Sequence, residues 1–238
     1  MNDRESANDG VLVSMKVIAD SMRGRYRTLE EMVIDAVRKA ILDGVFPPGQ
    51  RLPQDKIAAA LEVSRIPVRS ALRWLESEGL VVFHPHRGAT VSTLTADDVA
   101  EIYEIRARLE KFALRAACER VTPEDLAELE RLAEDVDRAH DDANAEDWYH
   151  ARQKFYRRLY EVARVPRTAQ LIDRLRGEVG RYLHRTRASE SHGHKIIIEA
   201  IKSGDPLAAE RWLDEHLSNV SKDIQETVRL AHPGSPPQ

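Results

Sequence analysis

Three arginines recur at every fourth position in the stretch from Val63 to Leu80, namely Arg65, Arg69 and Arg73. Residues four apart lie on one face of a helix, so this spacing sets three guanidinium groups in a row. A guanidinium can hold a phosphate oxygen or fork onto O6 and N7 of guanine, and the row therefore suits a nucleic-acid groove. A charged row is also a common form of solvated helix surface, so it does not establish DNA contact by itself.

The same stretch has the other features of a helix that carries such a row. Ser64 is a suitable N-cap, Pro67 falls in the first turn, and Gly79 is placed to end the helix in the left-handed conformation. Apolar residues occupy the spacing of a buried stripe on the other side, at Val68, Ala71, Leu72 and Leu75. The stretch therefore predicts a helix with an apolar back and a basic front.

The preceding residues predict two more helices. Thr28 and Glu31 form a capping box that starts a first helix, and its apolar periodicity continues to Gly44. Pro53 can open a second helix, which leaves only two residues before Ser64. Two helices joined so tightly indicate a helix-turn-helix, in which the arginine-bearing helix is the second member.

Two short β-type runs, Leu80–His84 and Ala89–Thr93, follow and predict a hairpin wing. His86 and Arg87 lie at its tip. The neighbouring Gly88 has no side chain to keep the backbone from a sugar-phosphate edge or a minor groove. The wing is therefore a second candidate contact with DNA.

From Thr95 onward every segment is predicted as helix, near residues 96–119, 123–140, 145–163, 166–188, 191–203 and 206–229. The expected fold class is mainly α, with an N-terminal winged helix-turn-helix domain over residues 25–95 and an all-α helical-bundle sensor domain over residues 96–230. Residues 1–24 are predicted to be a disordered N-terminal segment, and residues 231–238 a flexible tail.

The amino-acid composition is typical of a helical protein and excludes disulfide-stabilised and membrane-spanning classes. Aromatic residues make up 5% of the 238 residues and charged residues 32%, a balance typical of amphipathic helices. The net charge is −4, but the stretch from Arg25 to Thr95 has a slight basic excess and the remainder an acidic one. A single cysteine, Cys118, excludes an internal disulfide framework, and no apolar run is long enough for a membrane span. We therefore expect a cytoplasmic protein.

The chain resembles the GntR-type bacterial transcription regulators, in the FadR-like branch with an all-helical FCD sensor domain. The segments that carry the resemblance at the front are 40–44 (AILDG), 48–52 (PGQRL), 63–72 (VSRIPVRSAL), 75–80 (LESEGL) and 87–89 (RGA). Those at the back are 102–110, 155–160, 194–200, Gly204-Asp205, Ala209 and His216-Leu217. The resemblance implies that Arg65 and Arg69 contact operator bases or phosphates and that Gly88 lies at the minor groove.

The candidate DNA-binding residues are Arg51, Ser64, Arg65, Ile66, Arg69, Arg73, His86, Arg87 and Gly88. Arg73 is the weakest of the three arginines in the row. It lies farther from the helix N-terminus, where base contacts concentrate, and it can pair with Glu76 instead.

Many FCD domains hold a divalent metal with an Asp, a His four residues later and two further His residues, and the resemblance places the last two at His194 and His216. The first two positions are Arg152 and Tyr156 here. An arginine repels a cation, and a phenol is a poor substitute for imidazole. We therefore predict no cofactor and no metal; a metal, if present, would be held by His194 and His216.

In place of a metal, we expect the same residues to bind a small carboxylate or phosphate effector directly. Arg152 would grip the anion, with Tyr156, His194 and His216 as donors and Arg106 as a second charge. The alternative is that Arg152 forms an internal ion pair and that the histidines are hydrogen-bonded core residues.

Together these features predict a ligand-responsive DNA-binding regulator and not an enzyme. We expect a repressor that binds a pseudo-palindromic operator as a homodimer and senses a small anionic metabolite, with no membrane partner. The contrasting alternatives are a metal-dependent hydrolase-like enzyme and a ligand-binding protein built on the helical domain. Neither a nucleophile elbow nor an HExxH pair is present in the sequence to support the enzyme.

Overall fold

In the computed structural model, residues 10, 13–18, 28–85, 87–141, 145–186 and 194–231 are described. The chain divides into two compact units, Met1–Thr93 and Leu94–Gln238, which we call the first and second units. In the sequence, the division falls two residues before the boundary expected at residue 95.

The first unit is a winged helix-turn-helix. Its helices are α1 (Leu29–Leu42), α2 (Gln54–Leu61) and α3 (Arg65–Ser77), and its strands are β1 (Arg51–Leu52), β2 (Val81–His84) and β3 (Gly88–Val91). The strands form an antiparallel sheet in the order β1-β3-β2. The sequence predicted the hairpin of β2 and β3 but not the short β1, whose two residues are too few to show an alternating pattern.

The helix-turn-helix is held by an apolar core and a polar link. The stripe predicted on α3 is buried, as are Val33 and Val37 of α1 and Ile57 of α2. Arg38 of α1 donates to Glu78 at the C-cap of α3, with Nη2 2.9 Å from Oε1. These contacts fix α3 from behind and leave its basic front outside the core.

Both ends of α3 follow the predicted local chemistry in part. Gly79 has φ +75°, and the N–H of Leu80 donates to the carbonyl of Leu75, which completes a Schellman-type ending. Ser64 occupies the N-cap position, but its side chain makes no capping hydrogen bond. Its hydroxyl is thus not used to close the helix.

The prediction of disorder for residues 1–24 differs from the structure over one short segment. Residues 13–18 are helical, and Met15 and Ile18 are buried with the core of the first unit. Apolar residues too few to form an isolated helix gain stability here by packing on that core. Residue 10 is also helical, and the other residues of this segment and residues 232–238 lie outside the described residues.

In its described residues, the second unit has helices as its only regular secondary structure, joined by short non-helical linkers. Its helices are α4 (Ala96–Arg120), α5 (Pro123–Asp141), α6 (Ala145–Val162), α7 (Pro166–Thr186), α8 (His194–Lys202) and α9 (Pro206–Ala231). The long α4 packs chiefly against α9, and α5 against α6. Where the structure describes a helix end, that end lies within three residues of the predicted one. The predicted ends at residues 188 and 191 lie outside the described residues. Among the described residues, no helix combines the length and apolar character needed to cross a membrane.

Candidate functional site

The front of α3 is exposed where the sequence places its DNA-contacting residues. Arg65, Ile66 and Arg69 are all exposed, and Ile66 keeps 81% of its surface. Arg65 forms an ion pair with Asp55 of α2 in which both side chains face solvent. Because a surface pair contributes only about 0–1 kcal/mol, Arg65 can exchange Asp55 for a phosphate or a base at little cost.

Arg73 has a different environment from the other two arginines. Its Nη1 lies 2.8 Å from Oε2 of Glu76, and its guanidinium stacks on Phe83 of β2 at 3.9 Å from the ring centroid. The other oxygen of Glu76 accepts the backbone N–H of Phe83 at 3.1 Å. Arg73 therefore joins α3 to the wing.

The wing brings Arg51 close to Gly88. In the sheet, Arg51 of β1 is paired with Thr90 of β3, two residues from Gly88. Gly88 has φ +83°, and a Cβ built there would lie 3.9 Å from Nε of Arg51. Arg87 is exposed beside it. His86, the other predicted tip residue, lies outside the described residues.

In the second unit, helices α4, α6, α7, α8 and α9 bring the predicted effector residues into one buried cluster. Arg106 and Arg152 are 2% and 5% exposed, Tyr156 is 1% and His194 is 3%, while His216 is half-buried. The structure adds Arg176 of α7, which is 6% exposed and stacks on Tyr156 at 3.7 Å from its ring centroid. We call Arg106, Arg152 and Arg176 the arginine cluster.

The buried carboxylate of Glu110, on α4, faces this cluster. Glu110 is fully buried and accepts from Nε of Arg106 at 2.8 Å and from the hydroxyl of Tyr160. Burial acts to raise the pKa of Glu110, but the charges of Arg106 and Arg176 outweigh burial and hold it below its ordinary value. Glu110 is thus an anion that counters part of the cluster's positive charge.

The charge of Arg176 is less well compensated than that of Arg106. Burial, followed by the charges of Arg152 and Arg106, lowers the pKa of Arg176, although Glu110 acts in the opposite direction. Burial also acts to lower the pKa of Arg106, but its contact with Glu110 keeps that pKa above the ordinary value. The cluster therefore favours an additional negative charge near Arg176.

The aromatic side chains fix the orientation of His216. Its ring stacks on Trp212 at 4.7 Å between centroids and 9° between planes. Its Nε2 lies 3.0 Å from the hydroxyl of Tyr156 and 3.5 Å from Nη2 of Arg152. Because a guanidinium can only donate, Nε2 is placed to accept from Arg152.

These residues do not fit the divalent metal that many FCD domains hold. Nε2 of His216 faces a guanidinium, whose charge would repel a cation there, and a neutral phenol, which is a poor metal ligand. In the part of the chain that the structure describes, no three His, Cys, Asp or Glu side chains are gathered as a metal site requires.

The sequence reasoning missed Arg176, Glu110 and Tyr160. Arg176 is one of several arginines on α7, but it alone falls on the apolar stripe of Ile172, Val179 and Leu183. That position was a signal of burial. The i, i+4 spacing of Arg106 and Glu110 was a similar signal for the ion pair.

Comparison with known proteins connects the two units to two families. Residues 29–91 match the gntR family of bacterial regulatory proteins, and residues 101–219 match the FCD domain. Both families consist of transcriptional regulators and not enzymes.

Individual relatives align over most of both chains. The HTH-type transcriptional regulator YdhC of Bacillus subtilis is 29% identical over 203 residues, which cover 81% of this chain and 89% of YdhC. The Nta operon transcriptional regulator of Aminobacter aminovorans is 28% identical and covers 78% of this chain and 90% of its own. The solved structure of McbR/YncC from E. coli superposes with a TM-score of 0.71 at 26% identity, covering 85% of this chain and all of that one. The chain belongs to the GntR family of bacterial transcriptional regulators, and its second unit carries an FCD domain.

Proposed function

We propose that this regulator binds a pseudo-palindromic operator as a homodimer, with α3 of each copy in a major groove. The observation that carries the proposal is the exposed front of α3, where Arg65, Ile66 and Arg69 project from a helix whose back is buried. Two copies related by a twofold axis would place their α3 helices about 34 Å apart, one turn of DNA.

Each residue on this surface has a role suited to its chemistry. Arg65 and Arg69 fork onto guanine edges or hold phosphates, and Ile66 offers an apolar contact to a thymine methyl group. Arg87 and His86 reach the minor groove beside Gly88, and Arg51 approaches the backbone from the base of the wing. Ser64 donates its hydroxyl to a phosphate at the start of α3.

The second unit is proposed to sense a small anionic metabolite at the arginine cluster. The buried guanidinium groups of Arg106 and Arg176 share the buried carboxylate of Glu110, and this supports the proposal, because a buried charge that is only partly compensated is costly until an anion neutralises it. Effector binding would change operator affinity by its difference in affinity for the DNA-bound and released states. We expect repression in the cytoplasm, by occupancy of a promoter-proximal operator.

A mobility-shift assay on the intergenic DNA that flanks the gene tests the DNA-binding proposal. Wild-type protein should shift one fragment specifically at moderate salt, and the double variant Arg65→Ala/Arg69→Ala should lose that shift. Arg108→Ala is a matched control, because Arg108 is equally exposed but lies in the second unit, paired with Glu104. Equal binding by wild type and the double variant, or only nonspecific binding that vanishes with salt, would contradict the proposal.

The mass of the protein and of its DNA complex tests the homodimer. Light scattering should give two chains per particle and two chains per operator. One chain bound to each full operator would exclude the twofold arrangement, without excluding DNA recognition by α3.

A further inference from the structure

Among the described residues of the second unit, two buried guanidinium nitrogens have no hydrogen-bond partner. They are Nη2 of Arg106 and Nη1 of Arg176, and both are buried. Buried charged donors are normally satisfied, because an unpaired one loses its hydration without replacement. Each of the two N–H groups is therefore available to donate to a bound acceptor.

The charges around these atoms show that the acceptor should be an anion. Glu110 is the carboxylate that acts on both Arg106 and Arg176, so one negative charge is shared by two positive ones. Arg152 adds further positive potential at Arg176. A neutral acceptor would satisfy the N–H groups but leave the charge excess in place.

The stacking of the two arginines limits how the anion can approach. The ring of Tyr103 covers one face of Arg106 at 4.5 Å, and the ring of Tyr156 covers one face of Arg176 at 3.7 Å. Stacking leaves the N–H edges of each guanidinium for hydrogen bonding. Edges of this kind match the oxygens of a carboxylate or phosphate group.

We propose that the effector carries an oxyanion held jointly by Nη2 of Arg106 and Nη1 of Arg176. Arg176 is the main charge anchor of the site, and Arg152 positions His216 and adds to the potential. This inference rests on the proposed sensing function, because it names the ligand class and the residues of that same site. The shared chemistry is an oxyanion, and the test separates carboxylate from phosphate.

The test measures thermal unfolding of the full-length protein with inorganic phosphate or with acetate, each titrated against chloride at constant ionic strength. At least one of the two anions should raise the Tm of wild type, and the more effective one identifies the class. The variant Arg176→Met should lose this shift. Without anion it should melt no lower than wild type, because it removes a charge that Arg106 and Arg152 repel.

Arg115→Met is the matched control, since Arg115 is an exposed arginine of the same unit, paired with Glu210. It should retain the full anion shift. If Arg176→Met does not fold, Arg176→Lys replaces it and should bind the anion about tenfold more weakly, because an ammonium lacks the guanidinium fork. A full shift in the folded Arg176 variant, or no shift of wild type with either anion, overturns the inference.

A failure of this inference can be told apart from a failure of the proposed function. The control variant Arg115→Met should shift operator DNA as well as wild type does in the absence of anion. Specific DNA binding that does not respond to either anion would support the DNA-binding proposal and contradict the oxyanion site. Loss of specific DNA binding by wild type would contradict the proposed function itself.

Discussion

At the scale of single residues, similar side chains differ in function because their surroundings differ. Arg69 is exposed on the front of α3, whereas Arg73, one turn later, is held by Glu76 and Phe83. The sequence predicted this difference from the distance to the helix N-terminus and from the spacing to Glu76. It had no means of showing the stack on Phe83, which depends on the folded wing.

Substitution of the two arginines should therefore give different results. Arg69→Ala should weaken operator binding by about 1–3 kcal/mol, the value of one good base contact, without changing stability. Arg73→Ala should lower the Tm, because it detaches α3 from β2, and should reduce operator affinity less. Titration of operator DNA and thermal melts check both effects. An equal loss of affinity in the two variants would mean that Arg73 also contacts DNA.

Glu110 gives the second unit a pH dependence whose sign follows from its lowered pKa. Its stabilising contribution is fully present above the ordinary pKa of a glutamate and is lost as pH falls through the lowered folded value. Glu110→Gln should lose stability at neutral pH, by about 3–5 kcal/mol for a buried pair with one partner removed. It should also lose less additional stability than wild type between neutral and acid pH. Urea melts across that range measure both; parallel curves for the two proteins would show that Glu110 is already neutral.

At the scale of elements, much of the fold follows from local signals. The capping boxes at Thr28 and Thr95 start α1 and α4 at the predicted residues. In each box the Thr side chain accepts the backbone N–H three residues later, and the side chain of that later residue accepts the backbone N–H of the Thr. By contrast, β1 forms because Arg51 and Leu52 find partners in β3, far along the chain. A strand of two residues is too short to show an alternating pattern, and its partners are distant in the chain, so the sequence could not predict β1.

The glycine that ends α3 is an element-scale test of this local chemistry. Gly79 has φ +75°, so Gly79→Ala should cost about 1 kcal/mol, while Gly79→Asn should cost less because asparagine tolerates this conformation. Thermal unfolding of the two variants compares the costs. If both variants were as stable as wild type, the left-handed ending of α3 would not contribute to stability.

At the scale of the whole molecule, the arginine cluster and the N-terminal end of the second unit are connected through one helix. Arg176 and Tyr182 both lie on α7, and the hydroxyl of Tyr182 accepts the backbone N–H of Leu94 at 3.2 Å. Leu94 directly follows Thr93, the last residue of the first unit. No local pattern indicates this hydrogen bond, because it joins positions 88 residues apart.

Tyr182→Phe should therefore weaken the response of DNA binding to effector more than it weakens either binding event. The variant removes one hydrogen bond, worth about 1 kcal/mol, and keeps the buried ring. Operator affinity measured with and without the stabilising anion should show a smaller ratio than in wild type. An unchanged ratio would mean that the signal leaves the second unit by another route.

The stack of Trp212 on His216 gives the protein an optical reporter beside the arginine cluster. An indole packed face to face on an imidazole emits with an intensity that depends on the charge and position of that imidazole. A ligand that moves Arg152, Tyr156 or His216 should therefore change the intrinsic fluorescence, and replacing Trp74 and Trp148 by phenylalanine should leave that change visible from Trp212 alone. The effector search can then proceed by light emission from unlabelled protein, before any operator sequence is known.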